Sequence, residues 1–385
     1  MAHDIRSNGV TRRGLLAGLG AVAGLGALAV APARSQPAPV ALGAIRWDAW
    51  YAPGSGPTEA MERALSPPPW RNRAPFFAEV PPGGAPIRLP PPSQAVMDRQ
   101  IGLAAQAGLD YWAFVGYPAG SSMSEGFRLY RASARRAQVK FCFITEAGRW
   151  GRRGAPSEMV RDQAALLADP DAMRVAGGRP LYFLAFLSDD LIVENWGGIE
   201  GLRAAIEAFR HQARAAGAAN PYIVIMTPVP DQARRWVPLL GADAASAYAW
   251  QGARGAMPYA ALAGLAERGW AQQAALGIPI IPTAMAGWDR RPRVQNPVPW
   301  EGWQRPGDGI ENFYDAPTPA ELTRHIGRAI EVAAAQPARA ALVYAWNEND
   351  EGGWMEPTHP FEDGRLRALR QAACRPQPVE RCVRR

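Results

Sequence analysis

The stretch Ala340-Ala341-Leu342-Val343-Tyr344-Ala345-Trp346-Asn347-Glu348-Asn349-Asp350-Glu351-Gly352 decides how this chain is read. It begins as an apolar run without helical period, the pattern of a strand covered on both faces. It then breaks into acids at one end. A helical segment, Thr318 to Ala335, precedes it, opening on Thr318-Pro319-Ala320-Glu321: an N-cap, a proline in the first turn, and an acid three residues on. Another, Phe361 to Ala373, follows.

Upstream, the same alternation recurs. Short apolar runs lie at Val40 to Tyr51, Leu109 to Tyr117, Val139 to Glu146, Pro180 to Phe186, Pro221 to Pro228, Ala245 to Trp250 and Ile278 to Ala284. Amphipathic segments separate them: Ser93 to Ala107, Glu125 to Gln138, Ser157 to Ala168, Ile199 to Ala216, Asp231 to Leu240 and Tyr259 to Ala275. Eight strands, each followed by a helix, predict an α/β chain forming a single (β/α)8 TIM barrel over about residues 40–375. A doubly wound open sheet is the alternative, weakened by the lack of a Gly-rich phosphate loop after the first strand. Two long inserts, Pro53 to Pro92 and Gly287 to Asp315, follow the first and seventh strands and belong to the catalytic face of a barrel.

The 385 residues are 48% hydrophobic and 20% charged, which excludes a disordered chain, a coiled coil and a multispan membrane protein. The formal charge is +7, yet Lys140 is the only lysine, and this arginine skew reads as codon bias of a GC-rich genome. No basic run is interleaved with aromatics, so no nucleic-acid partner is expected. The cluster Arg149, Arg152, Arg153 reads as a solvated loop or, more sharply, as a site for an acidic substrate. Residues 1–33 carry Arg12-Arg13, a Gly/Ala-rich apolar stretch and the small-residue end Ala31-Pro32-Ala33, a pattern resembling a cleaved twin-arginine signal. The expectation is a periplasmic or secreted protein with no stable membrane insertion after cleavage. Cys142 reads as a buried hydrophobe, and Cys374 could pair with Cys382, which lies in the tail of residues 376–385. No Cys/His spacing suggests a metal, no cofactor is expected, and the oligomeric state is not legible.

Barrel chemistry sits at the C-terminal ends of strands. There the chain places Asp48, Trp50 and Tyr51, then Glu146, Tyr248, Trp250, Trp288, Asp289 and Arg291, and finally Asn347, Glu348, Glu351, Trp354 and Glu356. Glu348 and Glu351, three apart, share a face in a helix-like turn. Two carboxyl groups roughly 5–9 Å apart, one protonated and one ionised, are what glycosidic cleavage needs. Trp47, Trp50, Tyr51, Trp250, Trp288, Trp300, Trp303 and Trp354 are candidates to stack on sugar rings. For any one of them packing is the more common role. Asp48, Glu146 and Asp289 are candidates to bond hydroxyls, with Arg291 a partner for Asp289. Tyr51, Tyr248 and Asn347 are candidates to orient hydroxyls or the acids.

The segment Ala345-Trp346-Asn347-Glu348-Asn349-Asp350-Glu351-Gly352, with Met355-Glu356-Pro357, resembles the strand-eight signature of glycoside hydrolase family 99 and its family 99-like relatives. Ala107 to Tyr111, Met173 to Pro180 and Gly287 to Arg293 fit the same group. The resemblance implies a (β/α)8 barrel acting on glycans, with α-mannosides cleaved with retention. It implies that Glu348 is the base on the sugar 2-hydroxyl, forming an epoxide-like intermediate, and that Glu351 is the acid that later activates water. Asn349-Asp350 departs from the family pattern, where an aromatic residue and often a histidine are usual. Two other readings stand beside the hydrolase: a non-catalytic periplasmic glycan-binding protein, and a glycosyltransferase-like protein of polysaccharide synthesis.

Overall fold

The computed structural model describes residues 39–91, 93–152 and 155–374. Residues 1–33, Arg153, Cys382 and the tail of residues 376–385 lie outside the described residues. The described chain builds a barrel of eight parallel strands: β1 (Ala41–Arg46), β2 (Tyr111–Val115), β3 (Lys140–Glu146), β4 (Arg179–Ala185), β5 (Tyr222–Met226), β6 (Ala244–Ser246), β7 (Thr283–Met285) and β8 (Ala340–Tyr344). Their order around the ring is β7-β8-β1-β2-β3-β4-β5-β6. This is the (β/α)8 barrel expected from the alternating pattern, and its strands are buried almost throughout.

The ring closes between β6 and β7 through a single bridge, Ala245 to Ile280. The apolar run from Ile278 predicts a longer seventh strand. Pro279 and Pro282 interrupt it, because proline has no N–H to give the ladder. Side chains take over: the Ser246 hydroxyl donates to the Ile281 carbonyl at 2.7 Å, and the Thr283 hydroxyl donates to the Ala247 carbonyl at 2.7 Å.

Helices wrap the strands. Ile199–Ala215 buries Leu202, Ile206 and Phe209 at helical spacing. Pro319–Ala334 opens on a full capping box between Thr318 and Glu321. Helices Gln94–Gln106 and Tyr259–Ala275 form close to the expected limits. The helix after β2 is shorter than expected: Glu125–Ala132 ends at Ser133. The insert after β1 is not irregular throughout, since Gly56–Leu65 is helical behind a Ser55 cap. Among the described residues no helix is long and apolar enough to cross a membrane.

Candidate active site

β8 ends at Tyr344, and its extension turns at Asn349–Glu351 before a tight hairpin back through Gly353–Trp354. Gly352 closes that turn with φ +83°, and a Cβ there would stand 2.5 Å from the Asp289 nitrogen. Only glycine fits such a left-handed, crowded position. The close approach lets the Asp289 N–H donate to the Glu351 carbonyl at 2.7 Å. The insert after β7 is thereby docked onto the end of β8. Its short helix Arg291–Gln295 then aims Arg293 between the two glutamates.

Arg293 is buried and joins the whole group. It donates to Glu351 Oε1 at 2.5 Å and to Glu348 Oε2 at 3.3 Å, and it pairs with Asp350. Arg290 adds a second cation, its Nε 3.1 Å from Glu351 Oε1. Glu301 completes the set by pairing with both Arg290 and Arg293. Two tyrosines finish the carboxylates: Tyr248 donates to Glu348 Oε1 at 2.9 Å, and Tyr344 donates to Glu351 Oε2. The glutamates thus stand no farther apart than one guanidinium and its two contacts, and both line one open pocket of about 800 Å³.

Their electrostatics differ. Burial, reinforced by the negative charge of Glu351, pushes the Glu348 carboxyl well above the usual range, and Arg293 offsets this only in part. Burial acts on Glu351 too, but Arg293, Arg290 and the Tyr344 hydroxyl outweigh it and hold that carboxyl below its ordinary value. Burial and charge therefore favour the proton on Glu348 and the charge on Glu351. This is the reverse of the order implied by the family resemblance, in which Glu351 is the acid.

Of the other site candidates, Glu146, Tyr248 and Trp288 line the pocket. The rest form its supporting wall. Asp48 and Tyr51 are bound to the buried Arg46, and Tyr51 also reaches Gln100. Asn347 holds Asp48 at 3.0 Å and accepts from the Trp47 N–H at 2.9 Å, tying the end of β1 to the end of β8. Glu356 accepts from Gln100 at 2.9 Å inside the same buried network. Asp289 is clamped by Arg73 and Arg291, and Arg291 lies over the Phe313 ring. Trp354 is covered by Arg365, and Trp250 is buried against Met285. None of these eight is among the residues lining the pocket.

The pocket also holds residues outside the expected set. Arg293, Arg290 and Glu301 come from the insert after β7, and Tyr117, whose hydroxyl accepts from the Trp47 indole at 2.8 Å, from the end of β2. Arg290 and Arg293 are spaced three apart, as are Glu348 and Glu351, and this matched spacing is the signal that could have found them. Trp47, Trp300 and Trp303 line the pocket as well. Among the described residues no group of histidine, cysteine, aspartate and glutamate could hold a metal ion.

Fold and site together define a (β/α)8 barrel with a paired-carboxylate pocket at the C-terminal face. Its architecture matches the GH99 endo-α-mannosidase from Bacteroides thetaiotaomicron. A structure of that protein in complex with bis-tris-propane aligns with TM-score 0.54 at 16% identity over 86% of this chain and 95% of that one. A second structure of the same protein aligns with TM-score 0.52 at 16% identity and the same coverage. No protein-family model matches the chain, and comparison with curated protein sequences gives no match.

Proposed function

We propose that the protein is an exported glycoside hydrolase that cuts poly- or oligosaccharides, with α-mannoside-type linkages the leading class. The observation that supports this most is the pair of glutamates sharing one guanidinium in an aromatic-lined pocket, one buried toward neutrality and one held ionised. The reaction needs that inequality and no cofactor. Electrostatics favour Glu348 as the group that protonates the leaving oxygen. Its Oε2 has only the long contact to Arg293 and is the oxygen with room for a transferable proton. Glu351, ionised, then serves as base or nucleophile. Tyr248 and Tyr344 fix the orientation of the two carboxyl groups.

The test uses a panel of mannans, glucans and bacterial surface polysaccharides, reading released reducing ends. Glu348→Gln is expected to abolish cleavage of natural glycans but spare aryl glycosides, whose leaving groups need little protonation. Glu351→Gln is expected to abolish both. The opposite pattern restores the roles implied by the family resemblance. Glycan binding without any new ends would instead make the protein a non-catalytic binder.

A further inference from the structure

Behind the pocket wall lies a buried polar network with two carboxyl groups around one guanidinium. Arg46, the last residue of β1, gives its Nε to both oxygens of Asp48, at 2.8 and 3.1 Å, and its Nη2 to Gln100 at 2.9 Å. Gln100 passes the link on, its amide donating to Glu356 Oε2 at 2.9 Å. All four side chains are buried. Asp48 also accepts from the Asn347 amide at 3.0 Å, so its charge is well met. Glu356 has weaker support. Its Oε1 is buried with no donor, as is Asn349 Oδ1, and the two side chains adjoin. Asn349 is not free to turn over, because its amide donates to the Arg73 carbonyl at 2.8 Å. A proton on Glu356 supplies the kind of donor these oxygens lack, and it leaves Arg46 and Asp48 as a neutral pair.

The network ends on both sides of Glu348. Asn347, held through Asp48, accepts from the Trp47 N–H at 2.9 Å, and its carbonyl accepts from the Trp50 indole at 2.9 Å. Asn349, held beside Glu356, begins the turn Asn349–Glu351. Glu356 is tied to the same strand end, its N–H donating to the Trp346 carbonyl at 2.9 Å. The groups that face it are Arg46, Asp48 and Tyr51 from the β1 side, Gln100 from the helix Gln94–Gln106, and Asn349 from the turn after β8. Burial outweighs the attraction of Arg46 and pushes the Glu356 carboxyl up to about 8. Ionisation would set a second negative charge beside one buried cation. Arg46 keeps a buried Nη1 with no partner, so the new charge draws it away from Asp48, while Asn349 meets a carboxylate with its own oxygen. Both asparagines that flank Glu348 then lose part of their hold.

Resting on the reading of Glu348 as a reacting group, we infer that Glu356 is a positioning residue: with its proton on, it holds the backbone on both sides of Glu348, and with the proton off, it releases that hold and cleavage slows. It is not among the residues lining the pocket, and its effect passes through Asn347 and Asn349.

Glu356→Gln keeps the shape of the side chain but cannot ionise. Rates of glycan cleavage against pH, each protein scaled to its own plateau, test the inference, with thermal melts to confirm folding. A carboxyl that titrates at about 8 is about nine-tenths ionised one pH unit higher, so the wild type should fall about 10-fold or more there. Glu356→Gln should keep about 10-fold more of its plateau rate at that pH than the wild type does. The titration of Glu348 is common to both proteins, so the difference between the two limbs reports Glu356. Glu356→Ala, which loses the shape as well, should be slow at every pH. Infrared spectra give a readout that needs no turnover. One protonated-carboxyl band should be missing from Glu356→Gln. A second, missing from Glu348→Gln, should shift as Glu356 titrates in the wild type and stay in place in Glu356→Gln. Alkaline limbs that coincide, or a Glu348 band that ignores Glu356, overturn this inference alone. If no glycan is cleaved, the reading it rests on falls, and the Glu348 band then decides the positioning role by itself.

Discussion

Replacing Arg293 by glutamine removes the cation on which the pocket is built. Arg293 meets Glu351 at 2.5 Å, Glu348 at 3.3 Å and Glu301 at 3.3 Å, and it pairs with Asp350. At an effective dielectric near 20, each such contact is worth about 5–7 kcal/mol of Coulomb attraction. Desolvation of the guanidinium offsets several kcal/mol of that total. The net loss on breaking a buried pair is about 3–5 kcal/mol. The sign with pH follows from Glu351. Its carboxyl lies below the ordinary value when folded, so it contributes stability above the unfolded pKa and loses it as pH falls through the folded one. Arg293→Gln removes the largest share of that contribution, Arg290 and Tyr344 keeping the rest, so its deficit should be level above the ordinary carboxylate range and shrink as pH falls below it. Urea unfolding of both proteins at several pH values measures it. A cycle with Asp350→Asn should show a coupling of about 0.5–3 kcal/mol. A deficit below about 1 kcal/mol, the level of an exposed ion pair, or one independent of pH, would refute the idea that this guanidinium holds the carboxylates in place.

Other outcomes follow from the same geometry. Tyr344→Phe removes a donor to an ionised carboxylate and should cost about 1.5–3 kcal/mol in urea unfolding. The low-pH limb of glycan cleavage should move to higher pH, since Glu351 loses one of the groups that keep it ionised. An unchanged limb would mean the hydroxyl does not act on Glu351. Burial pushes the Glu356 carboxyl up to about 8. A raised acid loses stability as pH climbs above the unfolded value, until the folded value is passed. Glu356→Gln should therefore gain on the wild type between pH 5 and 8, by on the order of 4 kcal/mol at about 1.4 kcal/mol per unit. A stability difference that stays flat across that interval would show that Glu356 is not held neutral.

Local signals were legible where they depend on neighbours in the chain. The capping box at Thr318–Glu321 and the helix Ile199–Ala215 can be read from spacing alone. The eight-strand alternation yields the barrel, because each apolar run too short for a helix has to be covered on both sides. β7 was harder, since Pro279 and Pro282 look like strand residues by hydropathy yet cannot donate. At the site, position at a strand end brought Glu348, Glu351, Tyr248 and Glu146 to the pocket. It did not reveal that Arg46 draws Asp48 and Tyr51 inward, because that guanidinium sits in a strand whose pattern is otherwise apolar. Tyr344 was hidden for the same reason, as one more aromatic in a buried run. Arg293 needs the fold of a whole insert, and that fold depends on a glycine whose role appears only when Asp289 lies beside it.

The join between β6 and β7 has a consequence for how the molecule breathes. Elsewhere around the ring, neighbouring strands share a run of amide-to-carbonyl links, but here one bridge and two hydroxyls do that work. With one bridge in place of a continuous ladder, the Ala245 and Ile281 amides should open locally at lower cost than those of the longer ladders, a difference that amide hydrogen exchange reads. The strand on one side of this gap leads directly into the segment bearing both site arginines. Loosening there would pass along the chain from β7 to Arg290 and Arg293, making Ser246 and Thr283 custodians of the glutamates' alignment.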